Sequence, residues 1–170
     1  MDKVLNLSAF GDIIEDPNKD MEDYTFNSFK KNMEVPAQNS EISKVNSLVH
    51  LVLKNTAQIK LLHWQTRSYS EHKALDKLFN SFISLSDDLL ESVMGKYCRP
   101  ELSEKECSII VINYRNPDSP DGVQDYMKSL YKCYAENCRA LFTKDLEIVN
   151  QIDEIVSLID KINYLLTLKN

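Results

Sequence analysis

Two pairs of candidate metal ligands lie in one stretch of the sequence that has a helical pattern. His72 and Asp76 are four residues apart, and Asp87 and Glu91 repeat that spacing. Side chains four residues apart project side by side on a helix, so each pair is placed to bind a cation. All four residues fall within roughly 100° of arc on a partly apolar stripe of the helix. Charged groups on such a stripe cost free energy unless they are paired or bind a metal.

The two pairs cannot share an ion within one chain, because roughly 16 Å of helix separates Asp76 from Asp87. An antiparallel copy of the same helix, related by a two-fold axis near Ser81 and Phe82, would bring the first pair of one chain opposite the second pair of the other. Imidazole and carboxylate ligands together suit iron, manganese or zinc. The spacing therefore predicts an isologous dimer with two equivalent metal sites at its interface.

Each candidate residue also has an ordinary interpretation. Charged residues four apart are common on solvated helix faces, and this alone would account for Asp87 and Glu91. His72 alone would be a surface or capping histidine at a helix start, and His63 a partly buried core residue beside Trp64. Only the joint pattern favours a metal site.

The elements that must position these residues are helices, because Gly and Pro number only three and five in 170 residues. Apolar residues at spacings of three and four predict a first helix over 40–64 and a second over 70–94, capped by Ser70 and ended by Gly95. A third helix should begin at 121 or 122, and a fourth should follow a cap at Thr143. The connector over 96–120 could be a short helix or extended. We therefore predict an all-α fold, a four-helix bundle with a long crossover between helices 2 and 3.

An irregular, acidic arm over residues 1–38 precedes the predicted bundle domain, which covers 39–170. The arm shows no lasting period, so it is either mobile or laid along a partner surface in an assembly. The whole chain has 26 acidic and 20 basic residues, which argues against DNA binding. No apolar run is long enough for a membrane span, and the first residues do not resemble a secretory signal. These features predict a protein of the cytoplasm, with four cysteines that act as small hydrophobes.

The motif resembles that of the Dps family of mini-ferritins, in which a His-Trp pair ends the first helix. Here that pair is His63-Trp64, and the four ligand candidates on helix 2 match the family pattern H-x3-D-x10-D-x3-E without a gap. The loop between His63 and His72 is shorter than is usual in the family. The sequence of this loop and that of the C-terminal end are more similar to those of Dps-like proteins of large DNA viruses and phages. For such a protein the location would be the host cytoplasm or the virion. The paired E-x-x-H motifs of larger ferritins are absent from the sequence.

The resemblance implies a ferritin-like fold over about residues 40–168. It also implies a ferroxidase activity, in which Fe(II) is oxidised with peroxide or dioxygen. The ferric product would be stored in a closed cage, a dodecamer. It implies that His63, His72 and Asp76 of one subunit bind iron together with Asp87 and Glu91 of the two-fold mate. These five residues are the predicted metal-binding and catalytic set. The alternative is a structural protein of a virus particle or another assembly, which keeps the bundle without redox turnover.

Overall fold

The computed structural model describes residues 40–104, 107–113 and 122–168. The arm predicted for residues 1–38 lies outside these ranges. Helix α1 spans Ser40–Gln65 and α2 spans Tyr69–Lys96. The first helix thus begins and ends within a residue of its predicted bounds.

The third helical stretch has three parts. Helix α3 spans Gly122–Lys132, a π-helical segment spans Cys133–Cys138, and the single turn α4 spans Arg139–Leu141. Helix α5 spans Leu146–Thr167. No strand occurs in the part of the chain that the structure describes, so the predicted all-α class is confirmed. Of the helices described, none is long and apolar enough to cross a membrane.

One apolar core joins the four helical stretches, and each contributes residues three or four positions apart, as the sequence pattern predicts. These residues remain shielded from water because each stretch turns its apolar side toward the others. The fully buried ones include Val45, Leu48, Ile59, Leu75, Leu78, Phe82, Leu89, Met127, Tyr134, Ile148, Ile152 and Ile159.

The predicted N-cap of α2, Ser70, is wrong by two residues. The N-cap is Ser68, whose hydroxyl accepts the Glu71 backbone N–H at 3.4 Å. Ser70 lies inside the helix, and its hydroxyl hydrogen-bonds that of Ser68. Both serines have a hydroxyl that can cap a helix. Ser68, the one nearer to α1, is the cap because only residues 66–68 separate the two helices. The predicted end at Gly95 is also early, since the helix continues to Lys96 and no described glycine has the positive φ of a helix-ending residue.

An ionic and hydrogen-bonded cluster joins the end of α2 to the start of α5. The Tyr97 hydroxyl donates to the Asp145 carboxylate, and the Lys96 ammonium pairs with both Asp145 and Glu147. Asp145, not the predicted Thr143, precedes α5, and its carboxylate binds Lys96 and Tyr97 instead of capping the helix. Hydrogen bonds from Lys96 and Tyr97 lower the pKa of Asp145. The hydrogen bond between Tyr97 and Asp145 also raises the pKa of Tyr97 to about 12.

The connector after α2 contains no helix in residues 97–104 and 107–113 and lies along α1. The Asn46 side-chain amide makes two hydrogen bonds with the Glu101 backbone, each 2.9 Å long. Twelve residues further along α1, the Gln58 amide donates to the Ile112 carbonyl at 2.9 Å and accepts the Ile112 N–H at 2.7 Å. The connector therefore runs in the same direction as α1, back toward its C-terminal end.

Candidate metal-binding surface

His63 and His72 form a stacked pair where α1 and α2 meet. Their ring centroids are 4.0 Å apart, and the ring planes differ by 29°. The Nδ1 atom of His63 lies 3.3 Å from the His72 carbonyl oxygen, and the Nδ1 atom of His72 lies 3.2 Å from the His63 carbonyl oxygen. A carbonyl oxygen only accepts hydrogen bonds, so both Nδ1 atoms must donate. When the rings are neutral, both Nε2 atoms then carry the free lone pair that a metal requires.

The short connection over residues 66–68 places the two rings face to face. The Thr66 backbone N–H donates to the Leu62 carbonyl at 3.0 Å, which adds a last turn to α1. The Thr66 hydroxyl donates to the Glu71 carboxylate at 2.6 Å, and this bond fixes the first turn of α2. The two helices are therefore antiparallel, and the last turn of α1 lies against the first turn of α2. His63 is buried, whereas His72 is half-buried and closer to solvent.

The carboxylates of the predicted set lie farther along α2. Asp76 is half-buried one turn after His72, and Asp87 and Glu91 are exposed. At 1.5 Å per residue, Asp87 is roughly 22 Å along the helix from His72. Among the described residues, no three His, Cys, Asp or Glu side chains form a group that could hold a metal. One chain thus brings the two histidines together and leaves Asp87 and Glu91 apart from them, and the role of all five as ligands stays a prediction.

An exposed face with apolar and charged groups extends from the histidine pair along α1 and α2. Trp64 is 70% exposed and Ile83 is 41% exposed, both far more than core residues of this chain. The Lys60 ammonium lies 4.2 Å from the centroid of the Phe79 ring and 5.7 Å from that of Trp64. We call the surface formed by Leu53, Lys60, Trp64, Asp76, Phe79, Ile83 and Asp87 the α1–α2 face.

Sequence reasoning missed two features of this region. It did not anticipate that each histidine bonds the backbone of the other, because that contact depends on the geometry of the connection. It also missed Lys60, although its position one turn before Trp64 could have indicated a cation–π contact. Asp88 is exposed, and its backbone carbonyl accepts a hydrogen bond from the Gln151 side chain of α5 at 3.5 Å, on the side away from the α1–α2 face.

Residues 63–166 match the model of a family of unknown function, DUF5856. This match covers more than half of the chain, so the protein belongs to that family. The matched region begins at His63 and includes all five residues of the predicted site. No curated protein and no solved structure matches the chain.

Proposed function

We propose that this member of DUF5856 is a Dps-like iron-binding protein that oxidises Fe(II) at sites shared between two subunits. The histidine pair carries the proposal. His63 and His72 are held by reciprocal backbone contacts in the one neutral tautomer that presents both Nε2 atoms to a ligand. A metal ion would meet two nitrogen donors whose orientation is already fixed, so little ordering is lost when it binds.

The remaining donors are carboxylates, which favour oxygen-seeking ions such as Fe(II). Asp76 follows His72 by one turn and reaches the same site by a change of side-chain rotamer. Asp87 and Glu91 come from a second subunit whose α2 lies antiparallel to the first. The midpoint between His72 and Glu91 on the helix is also the midpoint between Asp76 and Asp87. One two-fold axis at that point therefore generates both sites.

The α1–α2 face supports this dimer. Exposed apolar groups the size of Trp64 and Ile83 are usually covered in an assembly when they lie together with other apolar groups. Ile83 lies next to the proposed axis and would pack on its own copy, whereas Trp64 lies beside the metal site. Phe82 is fully buried in the core of its own chain, so the axis passes beside that residue rather than through its ring.

A ferritin-like bundle with a crossover is the fold we propose for the whole domain. The histidine contact makes α1 and α2 antiparallel, and the contacts of Lys96 with Glu147 and of Ser92 with Gln151 make α2 and α5 antiparallel. The bonds of Asn46 and Gln58 lead the connector back along α1, as a crossover between the second and third helices requires.

The reaction that this site supports is the transfer of one electron from each of two Fe(II) ions to an oxidant. Peroxide takes up two protons and is reduced to two water molecules, and dioxygen takes up two protons and is reduced to hydrogen peroxide. The histidine nitrogens and carboxylate oxygens bind the ions and stabilise the higher charge of the ferric product. A net charge of −6 draws cations toward the protein. By resemblance, a dodecameric cage formed from such dimers would retain the product as mineral.

The test is Fe(II) oxidation in air and with peroxide, followed by optical absorbance, in the native protein and in Asp76→Asn. We expect oxidation well above the rate in buffer, and a loss of at least about tenfold in the variant, because even outer-shell partners of metal ligands contribute that much. Asp88→Asn is the matched control, since it removes the same charge at a position roughly 120° around α2 from Asp76. A well-folded native protein that oxidises Fe(II) no faster than buffer would contradict the proposal and favour the structural role.

A further inference from the structure

Lys73 is an exposed cation beside the α1–α2 face, roughly 60° around α2 from Asp76. Its ammonium lies 5.8 Å from the centroid of the Tyr69 ring, and Tyr69 is itself 70% exposed. A cation at this distance is attracted to an aromatic ring, so the contact holds the ammonium toward the first turn of α2. None of the ion pairs between described residues includes Lys73.

Two exposed carboxylates of the same helix, Asp87 and Glu91, are also outside those ion pairs. Glu91 follows Lys73 by 18 residues, which is about five full turns of an α-helix. The two side chains therefore leave α2 in nearly the same direction, at positions roughly 27 Å apart along its axis. An ion pair between them requires a second chain.

We propose that Lys73 pairs with Glu91 of the partner subunit and positions that carboxylate at the iron site. The inference rests on the proposed two-fold dimer. An axis midway between residues 81 and 82 brings Glu91 of the partner subunit to the level of residue 72, roughly 1.5 Å along the helix from Lys73. Because both side chains leave α2 in the same direction, the axis places them on the same side of the interface. A parallel pair of helices would instead bring Lys73 to its own copy, so these charges favour the antiparallel order.

Lys73 also offsets the charge of the site when no metal is bound. Asp76 of one subunit would lie beside Asp87 and Glu91 of the partner subunit, and three carboxylates close together repel one another. Lys60 is the other cation at this end of the face, and its ammonium lies against an aromatic ring of α2. With Lys73 in place, two subunits can associate before metal binds, and a bound cation takes over part of the charge balance.

The test is analytical ultracentrifugation of the full chain with a chelator, in the native protein and in Lys73→Gln. We expect the subunit concentration at half dissociation to rise about tenfold in the variant, because two ion pairs are lost from each dimer. Lys161→Gln is the matched control, since it removes the same charge from an exposed position of α5, outside the α1–α2 face. Lys73→Arg keeps the charge and should associate like the native protein.

Added Mn(II) distinguishes charge balance from simple packing. A saturating concentration should narrow the difference in association between the native protein and Lys73→Gln, because the ion supplies positive charge that the variant lacks. If Lys73 only filled space at the edge of the interface, Mn(II) would leave that difference unchanged, and the proposal would be wrong.

A charge exchange tests the pairing itself. Lys73→Glu alone adds a fourth carboxylate at each site and should dissociate the assembly further. Adding Glu91→Lys to that variant restores opposite charges and should recover association. Fe(II) oxidation should stay low in the double variant, since Glu91 is a proposed ligand.

The proposal is overturned if Lys73→Gln associates as Lys161→Gln does, or if the charge exchange recovers no association. It is equally overturned if the native protein is a monomer in the presence of the chelator. Fe(II) oxidation by the native protein that is lost in Asp76→Asn would, beside any of these results, retain the proposed iron site and remove only the role of Lys73.

Discussion

Replacing Gln58 by methionine should loosen the connector from α1 with little change in side-chain volume. Gln58 is 2% exposed, and its amide makes both of its described bonds to the backbone of Ile112. The substitution removes both bonds at once. At about 1 kcal/mol for each hydrogen bond, we expect the free energy of unfolding to fall by about 2 kcal/mol.

Urea unfolding measures this loss. With a slope of about 2 kcal/mol per molar, the midpoint should fall by about 1 M. Amide exchange at Ile112 should also become faster, because its N–H loses its acceptor. Gln65→Met is the matched control: it removes a single bond from a more solvated glutamine to the Asn113 side chain, and the free energy of unfolding should change by no more than about 0.5 kcal/mol. Equal midpoints for the two variants, with unchanged exchange at Ile112, would refute the inference that Gln58 anchors the connector.

Two further predictions concern the end of α2 and the α1–α2 face. Because Lys96 and Tyr97 lower the pKa of Asp145, its stabilising effect is present above the unfolded carboxyl pKa and is lost as pH falls through the folded one. Asp145→Asn should therefore lower the urea midpoint at pH 7, with a smaller difference below about pH 4; an equal difference at both pH values would contradict this. Ile83→Asp should leave the fold of one subunit intact, because Ile83 is exposed, but should shift sedimentation toward the monomer. An unchanged oligomer would argue against the proposed interface.

The positions of the helices could be predicted from the sequence because their buried residues repeat at the helical period. Leu75, Leu78, Phe82 and Leu89 are all fully buried, as that repeat requires. The local sequence does not define the helix ends in the same way, since Ser68 and Ser70 have the same capping chemistry and only the length of the connection selects between them. The π-helical segment has no signal in a pattern read at 3.6 residues per turn.

In the candidate site too, features within one helix could be predicted from the sequence, whereas contacts between helices or subunits could not. The spacing of His72 and Asp76 on one helix follows from residue numbers alone. The stacking of His63 on His72 depends on how three connecting residues turn the chain, and that geometry is set by the bonds of Thr66 and Ser68. The proposed completion of the site by a second subunit depends on an assembly, which a single chain does not contain.

Subunit complementation tests the central proposal of a shared site most directly. One variant would carry His72→Ala and Asp76→Asn, and the other Asp87→Asn and Glu91→Gln. Each alone should lack Fe(II) oxidation, because both sites of its dimer are damaged. After unfolding and refolding as an equal mixture, half of the dimers are mixed and each restores one of two sites, so activity should recover to about a quarter of the native level. A refolded mixture of mixed dimers that stays inactive would contradict a site shared between subunits.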